Sequence, residues 1–482
     1  MKFIKVFNTL CTPAQLYLGM SILSVLAMCY QNIGNPNSFA CGFLKADTPI
    51  NNVFYIIFQI LYVIGWTYLL NLFCKKGLTK LSWLLVLFPF IAMFIVIGLT
   101  ILALKMLIMI VYLAHWDWIL TQSRKDIVSN ISDSKFMAVC PIDINKTELE
   151  NYYEKTINWE INRNKILDIS GIINLRKIIK SINSDDIFHV FTLKSGLLLA
   201  FANLFKNNKT KNILTVTGLG YLFSNNFKAK FFKIIVGFFI KYLINKNFDF
   251  LMFQNKEDQK TFIDYSKYQG ESYIIPTSGI ETKEIEIKKE YQNKNLKVIM
   301  ATRLLNDKGV FEYLELAKLM KDSNFEFYLA GDVDEGNPDS LSNADLVKIS
   351  NNNFINYLGH IDVNKELCNY DINIVMSRYE GSSRILLESL YTGLICLSNN
   401  IPGTSGLSSK FSNSFFVEDN NIQEFKRYLD EIANLNIFFE DNANLNRELI
   451  NQNYTSEKIA AAYSKIYQYL RQEIESYKSE FI

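Results

Sequence analysis

The stretch Ser377–Gly403, SRYEGSSRILLESLYTGLICLSNNIPG, reads as a loop, a short helix and a strand. The loop holds Glu380, the helix starts near Ser382 and Ser383 and carries Glu388, and the apolar run after Gly393 is the strand. Gly381 lets backbone approach a neighbour closely, because no side chain intervenes. The hydroxyls of Ser382 and Ser383 predict an N-cap. A helix N-terminus offers free N–H groups and the positive end of its dipole to a phosphate, while Glu388, on the second turn, is within reach of hydroxyls beside it. Phosphate and hydroxyls together point to a sugar nucleotide. Arg384 and Glu388 stand four apart, so they also read as an ordinary helix-face pair contributing about 0.2–0.5 kcal/mol.

The surrounding chain decides between these readings. Its 482 residues suffice for two or three domains, each with its own core. A net charge of +2 argues against a polyanionic partner, so nucleic acid is not expected. The cysteines are scattered, with no CxxC pair and no histidine–cysteine cluster, which predicts reduced, mostly buried thiols rather than zinc ligands or a disulfide framework. Three runs, Ala14–Tyr30, Val53–Cys74 and Trp83–Ala103, are apolar and almost uncharged. Each is near the ~20 residues that cross a bilayer as helix, and Trp66, Tyr68 and Trp83 sit where interfacial aromatics belong. Residues 1–104 are therefore expected to be a membrane region of about three transmembrane helices, with membrane lipids as partners. A signal peptide is the competing reading of the first run, but Asn8 and Cys11-Thr12-Pro13 interrupt the approach to it and no small-residue cleavage site follows.

Orientation carries a conflict. Lys75, Lys76 and Lys80 between the second and third runs, with Lys2 and Lys5, place that face in the cytoplasm by the positive-inside rule. Three crossings then carry everything after Ala103 to the far side. A domain that consumes cytosolic nucleotide sugars is expected on the cytosolic face instead.

Beyond Met106 strand-like and helical segments alternate. Strands are expected at Phe136–Cys140, Lys165–Leu167, Ile187–Thr192, Asn212–Thr217, Phe248–Gln254 and Tyr273–Pro276, separated by helical patterns. A polar run from Thr277 to Lys294 reads as a linker, and a second series of strands and helices begins at Leu296. A basic amphipathic stretch, Lys228 to Lys246, reads as a helix packed on the sheet or lying on anionic lipid. The α/β class follows, with two doubly wound domains facing a cleft. Open sheets of this kind bind ligands at the carboxyl ends of their strands. Strand Leu296–Ala301 ends there at Arg303, and Lys308-Gly309 opens the next helix, so two cations are available to a diphosphate.

Arg303-Leu-Leu-Asn-Asp-Lys308-Gly309, then Tyr357-Leu-Gly359, Tyr370-Asp371, Glu380-Gly381-x-x-Arg384-x-Leu-Leu-Glu388 with Gly393, and Pro402-Gly403 resemble in order the retaining glycosyltransferases of family 4, which have the GT-B fold. The resemblance covers about residues 106–470 and includes the amino-terminal half. Asp117-Trp118 with Arg124 is similar to the family's first turn, and Asp186 to Lys194 with His189 to its acceptor-side loop. Val216-Thr217-Gly218-Leu219-Gly220 looks like the variant found in enzymes of bacterial surface or lipid-linked oligosaccharide synthesis.

This likeness implies an acceptor-side Rossmann-like domain at 105–276, a nucleotide-sugar-binding one at 277–455, and a final helix at 456–482 crossing back to the first. It also implies residue roles. Arg303 and Lys308 neutralise the donor diphosphate and the leaving group, Glu380 contacts the donor sugar, Glu388 holds the ribose hydroxyls, and Gly381, Arg384, Thr217 and Gly218 complete the donor side. Asp117, Arg124, His189 and Lys194 fall on the acceptor side. A nucleotide sugar, UDP-hexose or UDP-N-acetylhexosamine, is implied as substrate, with a lipid-linked or glycan acceptor, no cofactor and no metal.

Two departures stand out. Thr217 occupies the place of a histidine that contacts the donor sugar in many members, and Ser383 that of a frequent proline. Asp332-Val333-Asp334 has the form of a metal-binding DxD but follows a strand of the nucleotide domain, so it is expected to be a surface loop. His189 is equally readable as a structural histidine. A nucleotide-sugar 2-epimerase of the same fold and a non-catalytic sugar-nucleotide-binding or scaffold protein are the alternative functions. The Asn8–Tyr17 segment and the three apolar runs resemble small membrane proteins of large DNA viruses.

Overall fold

The structure is a computed structural model that describes residues 6–32, 38–41, 44–47, 51–143, 145–165, 167–204, 210–220, 237, 239–288, 295–334, 337, 339–434 and 439–480. The chain divides into two compact units, Met1–Leu107 with Ser476–Ile482, and Ile108–Glu475.

The first unit contains three long helices, α1 (Thr12–Gln31), α2 (Asn52–Lys75) and α3 (Thr79–Leu107), and a hairpin of β1 (Ser38–Cys41) and β2 (Leu44–Asp47). Pro13 falls in the first turn of α1, where its missing N–H costs nothing. The Asn51 side chain caps α2 by accepting from the Val53 N–H. All three helices are long and apolar enough to cross a membrane, and their apolar side chains point outward, as at Leu23, Phe58 and Phe94. Such a surface is unfavourable in water and suited to lipid. Ala14, Leu70 and Val86 form the small core where the helices touch. Cys11 and Cys74 are joined as a disulfide, which corrects the expectation of reduced thiols. Their wide separation in sequence hid a juxtaposition that antiparallel helix packing creates.

The second unit holds two parallel sheets. The first has β3 (Met109–Leu113), β4 (Lys135–Cys140), β5 (Lys155–Asn158), β6 (Ile187–Phe191), β7 (Asn212–Val216), β8 (Phe250–Phe253) and β9 (Glu271–Ile274), in the spatial order β5-β4-β3-β6-β7-β8-β9. The central strands are buried on both faces, which is why MIVYL, IFHVF and FLMF run apolar without alternation. The second sheet has β10 (Leu296–Ala301), β11 (Phe325–Ala330), β12 (Asn356–Gly359), β13 (Ile372–Val375), β14 (Ile395–Asn399) and β15 (Ser414–Val417), in the order β12-β11-β10-β13-β14-β15. In both sheets the order reverses beside the first strand, between β3 and β6 and between β10 and β13. At such a switch point the loops leaving the carboxyl ends splay apart and open a crevice.

The helix Ser456–Glu480 places Ile459, Ala460, Tyr463, Tyr467, Leu470 and Ile474 in one core cluster with Ile110, Tyr112 and Phe136 of the first sheet. Each large apolar side chain buried this way contributes roughly 1.5–3 kcal/mol, so the helix closes one face of that sheet. Lys165 and Leu167, the described ends of the strand expected at Lys165–Leu167, are not in a strand; the edge strand is β5, ten residues earlier in the chain, where Thr156 and Ile157 pair with Ala138 and Val139. Most of the basic stretch from Lys228 to Lys246 lies outside the described residues. In its described end Ile240, Leu243 and Ile244 are buried in the core.

Candidate active site

The loops of the second switch point carry the residues singled out from sequence. β10 leads into Thr302-Arg303, and the turn Asn306–Lys308 ends at Gly309, whose φ of +75° is costly for any residue with a side chain. A Cβ there would meet the Met376 carbonyl oxygen at 2.5 Å, so this glycine is required by packing on the end of β13 rather than by room for a ligand. The turn presents Lys308, whose Nζ lies 2.6 Å from Glu380 Oε1. Ser377 Oγ donates to the same carboxylate oxygen at 2.9 Å. The Lys308 and Glu380 side chains are only 10 % and 20 % exposed, so this is a partly desolvated ion pair at the end of a parallel sheet. Such a pair stabilises little by itself, because desolvation offsets attraction.

Glu388, on the helix Arg384–Thr392, accepts from Arg384 at 3.0 Å. The ordinary helix-face pair is thus real, and Arg384 adds a second bond, to the Gln122 carbonyl oxygen of the first domain. The expected serine cap is not made. Ser383 holds the N-cap position without a side-chain bond, and Ser382 Oγ and Ser383 Oγ are buried without a partner. Glu380-Gly381 lies against the first domain: a Cβ on Gly381 would sit 2.2 Å from the Thr217 carbonyl oxygen, and one on Gly218 would sit 3.0 Å from the Gly381 nitrogen. Asn255 Nδ2 donates to the Gly381 carbonyl oxygen at 3.0 Å. Gly381, Thr217 and Gly218 are therefore neighbours across the cleft.

Arg303 reaches toward the first switch point. Its Nη1 is 3.1 Å from Asp334 Oδ2, and its guanidinium lies over the rings of Trp116 and Trp118, which stack on each other. Arg163, from the loop after β5, bonds the other Asp334 oxygen at 2.8 Å and stands 4.1 Å over Trp116. Asp334 is thus not a surface-loop residue but a buried counter-ion of two arginines, while Asp332 remains exposed beside His360. Among the described residues no cluster of three or more His, Cys, Asp and Glu side chains is arranged to hold a metal.

Around β3 and β6, His115 Nδ1 is within 3.1 Å of Ser195 Oγ and 3.0 Å of Thr192 Oγ1. Burial and the nearby Lys194, Arg163 and Arg303 push this imidazole down to about 3, so it is neutral. Burial and Arg163 likewise lower Lys194 to about 8, and its Nζ donates to the Arg163 carbonyl oxygen. Thr192 has φ +77°, a strained position for a β-branched residue, held by the bonds of its hydroxyl.

Three residues expected on the acceptor side are buried in the fold. His189 is wholly buried, with Nδ1 bound to the Tyr467 hydroxyl and Nε2 to Thr215 Oγ1 at 2.6 Å, so its ring locks the C-terminal helix to the sheet. Asp117 is buried and accepts from the Trp118 N–H at 2.8 Å and from Asn145 at 3.1 Å. Arg124 is buried over the Phe191 ring and donates to the Ser123 carbonyl oxygen. Of that set Lys194 faces the charged cluster. Arg163, Asp334 and Asn255 are site residues that sequence reasoning missed; the DxD pattern was the visible trace of Asp334.

Two family models match this unit side by side, Glycosyl transferase 4-like over residues 109–255 and Glycosyl transferases group 1 over residues 281–455. The chain is a GT-B glycosyltransferase. Among curated relatives, this transferase is 26% identical over 353 residues to the N,N'-diacetylbacillosaminyl-diphospho-undecaprenol alpha-1,3-N-acetylgalactosaminyltransferase of Campylobacter jejuni, covering 68% of this chain and 91% of the relative. Anabaena HepE, solved with UDP and glucose, superposes with a TM-score of 0.60 at 15% identity over 75% of this chain and 99% of that one. Sucrose-phosphate synthase of Thermosynechococcus elongatus gives a TM-score of 0.61 at 14% identity, over 75% and 99%. These two likenesses carry the fold.

Proposed function

We propose that this glycosyltransferase moves a hexose or N-acetylhexosamine from a UDP donor to a lipid-linked or glycan acceptor with retention of configuration. The observation that carries the reading is the Lys308–Glu380 pair, held at the switch point of the second sheet, with Arg303 on the loop that leaves β10 of the same sheet. A donor diphosphate replaces Glu380 as the counter-charge of Lys308 and takes the Arg303 fork, which frees the carboxylate to face the donor sugar. The acceptor hydroxyl oxygen bonds to the anomeric carbon on the face the donor leaves. The bond from that carbon to the diphosphate oxygen breaks, UDP departs with its electron pair, and the hydroxyl proton passes to the departing phosphate. The charge growing on the leaving oxygen is offset by Arg303 and Lys308 in place of a metal. Glu388 holds the ribose hydroxyls, and Gly381 keeps the glutamate loop against Thr217 and Gly218.

We also propose that α1–α3 span a membrane and that the transferase unit works on the cytosolic face. The disulfide supports this orientation. Cys11 and Cys74 mark one face of the helical unit, disulfides persist in oxidising compartments, and three crossings carry the chain after Leu107 to the other face. Lys75, Lys76 and Lys80 argue the opposite orientation by charge bias.

The test is UDP release from UDP-sugars by the full-length protein, wild type and Lys308→Ala. Release that requires Lys308 supports the reading; no release and no binding of any donor sinks it.

A further inference from the structure

At the switch point of the first sheet three cationic side chains meet. Arg163 and Lys194 come from the first domain and Arg303 from the second. Two carboxylates answer them. Asp334 takes both arginines, and Asp168 is turned to its own loop, accepting from the Asn162 N–H at 2.7 Å and from Ser170 Oγ at 2.7 Å. Positive charge is left in surplus at a partly buried position. The lowered Lys194 registers the same repulsion, since burial and a neighbouring cation both disfavour its charged form. Arg163 Nε is buried without a partner, although Nη2 of the same guanidinium is bound to Asp334. A folded chain tolerates such costs where a ligand supplies the missing charge. The wall beside these cations is aromatic: Trp116 and Trp118 stack at 5.1 Å, and Trp118 is 37% exposed.

With Lys308 and Arg303 taken by the donor diphosphate, Asp334 stays with Arg163 and Lys194 is left bonded to a backbone carbonyl oxygen, so a second anion finds Lys194 and the open Nε of Arg163. We propose that Arg163 and Lys194, beside the Trp116–Trp118 wall, form a subsite for an acceptor that bears a phosphate or diphosphate group. This rests on the transferase reading above and narrows its acceptor from any glycan to a phosphate-linked one. The neutral His115, packed against Thr192 and Ser195, lines this subsite without adding charge.

The tryptophans report on the site directly. With full-length protein in detergent and UDP at saturation to occupy the donor site, farnesyl diphosphate, inorganic diphosphate and farnesol are titrated by tryptophan fluorescence. The expected result is saturable binding of farnesyl diphosphate at least tenfold tighter than farnesol, with that preference cut tenfold or more in Arg163→Gln and Lys194→Met and largely restored in Arg163→Lys. Competition by inorganic diphosphate identifies the anion as the recognised group, and its absence assigns recognition to the diphosphate on a lipid chain. Equal binding of farnesyl diphosphate and farnesol, or a preference unmoved by both charge-removing variants, overturns the proposal. UDP is titrated first: a chain that binds UDP but fails the acceptor arm breaks this inference alone, whereas one that takes up no UDP breaks the transferase reading on which it depends.

Discussion

At the second sheet's switch point the charged groups have opposite partners within reach, Lys308 with Glu380, Arg384 with Glu388 and Arg303 with Asp334. At the first sheet's switch point Arg163 must share Asp334 with Arg303, and Lys194 donates to a backbone carbonyl oxygen. The backbone plan is the same at both, a reversal of strand order that opens a crevice. The difference lies in what each crevice awaits. Paired charges that can exchange partners suit a donor that arrives and leaves with a diphosphate. Crowded cations beside an aromatic wall suit an acceptor with charge of its own.

The strongest way to break this comparison is to remove a paired charge. Lys308→Ala and Glu380→Ala are each expected to lower kcat/KM by about 10²–10³-fold, the range for losing one group aimed at developing charge, measured as UDP release. An effect below threefold would move the chemistry away from this crevice. The next largest effect tests how the two crevices are held together. Gly381→Ala puts a Cβ 2.2 Å from the Thr217 carbonyl oxygen, and backbone on both sides must shift. Misplacing a catalytic loop on that scale costs about 10²-fold in kcat. An unimpaired alanine variant would mean that the loop does not work from this position.

His189→Ala sharpens the comparison by separating structure from chemistry. The change leaves the Thr215 hydroxyl buried without its bond and the Tyr467 hydroxyl with Tyr112 alone, at a cost of roughly 1–3 kcal/mol, seen as a lower Tm. The acceptor KM of the protein that remains folded should stay unchanged. A raised KM at unchanged Tm would return His189 to the acceptor side. The smallest effect concerns His115, held near 3 when folded against an ordinary value of 6.5. The unfolded chain binds this proton first, so stability from this group is full above about pH 6.5 and is lost as pH falls toward 3. His115→Asn should flatten that part of the acid limb of a Tm-against-pH curve, and an unchanged slope would show that His115 titrates normally.

How far the sequence disclosed these features follows from the range of the interactions. Strand and helix patterning is local, so the α/β class, the membrane runs and the motif-bearing loops Arg303–Gly309 and Glu380–Glu388 were legible. The crevice proposed for the donor is built almost wholly from those two loops. The crevice proposed for the acceptor draws on loops scattered from His115 to Asp334, and no local pattern reports that Arg163 and Arg303 share one carboxylate. Asp117, Arg124 and His189 are buried by equally distant partners: Asp117 meets Asn145, Arg124 lies over Phe191, and His189 meets Tyr467 of the helix Ser456–Glu480. The Cys11–Cys74 disulfide joins residues 63 apart, a contact that helix packing makes and spacing does not announce.

The central claim is that the second switch point holds a donor diphosphate through Lys308 and Arg303. Calorimetric titration of UDP into the full-length protein tests it most directly. Saturable binding that weakens at least tenfold in Lys308→Ala is predicted; no UDP binding, or equal affinity in wild type and variant, would contradict it.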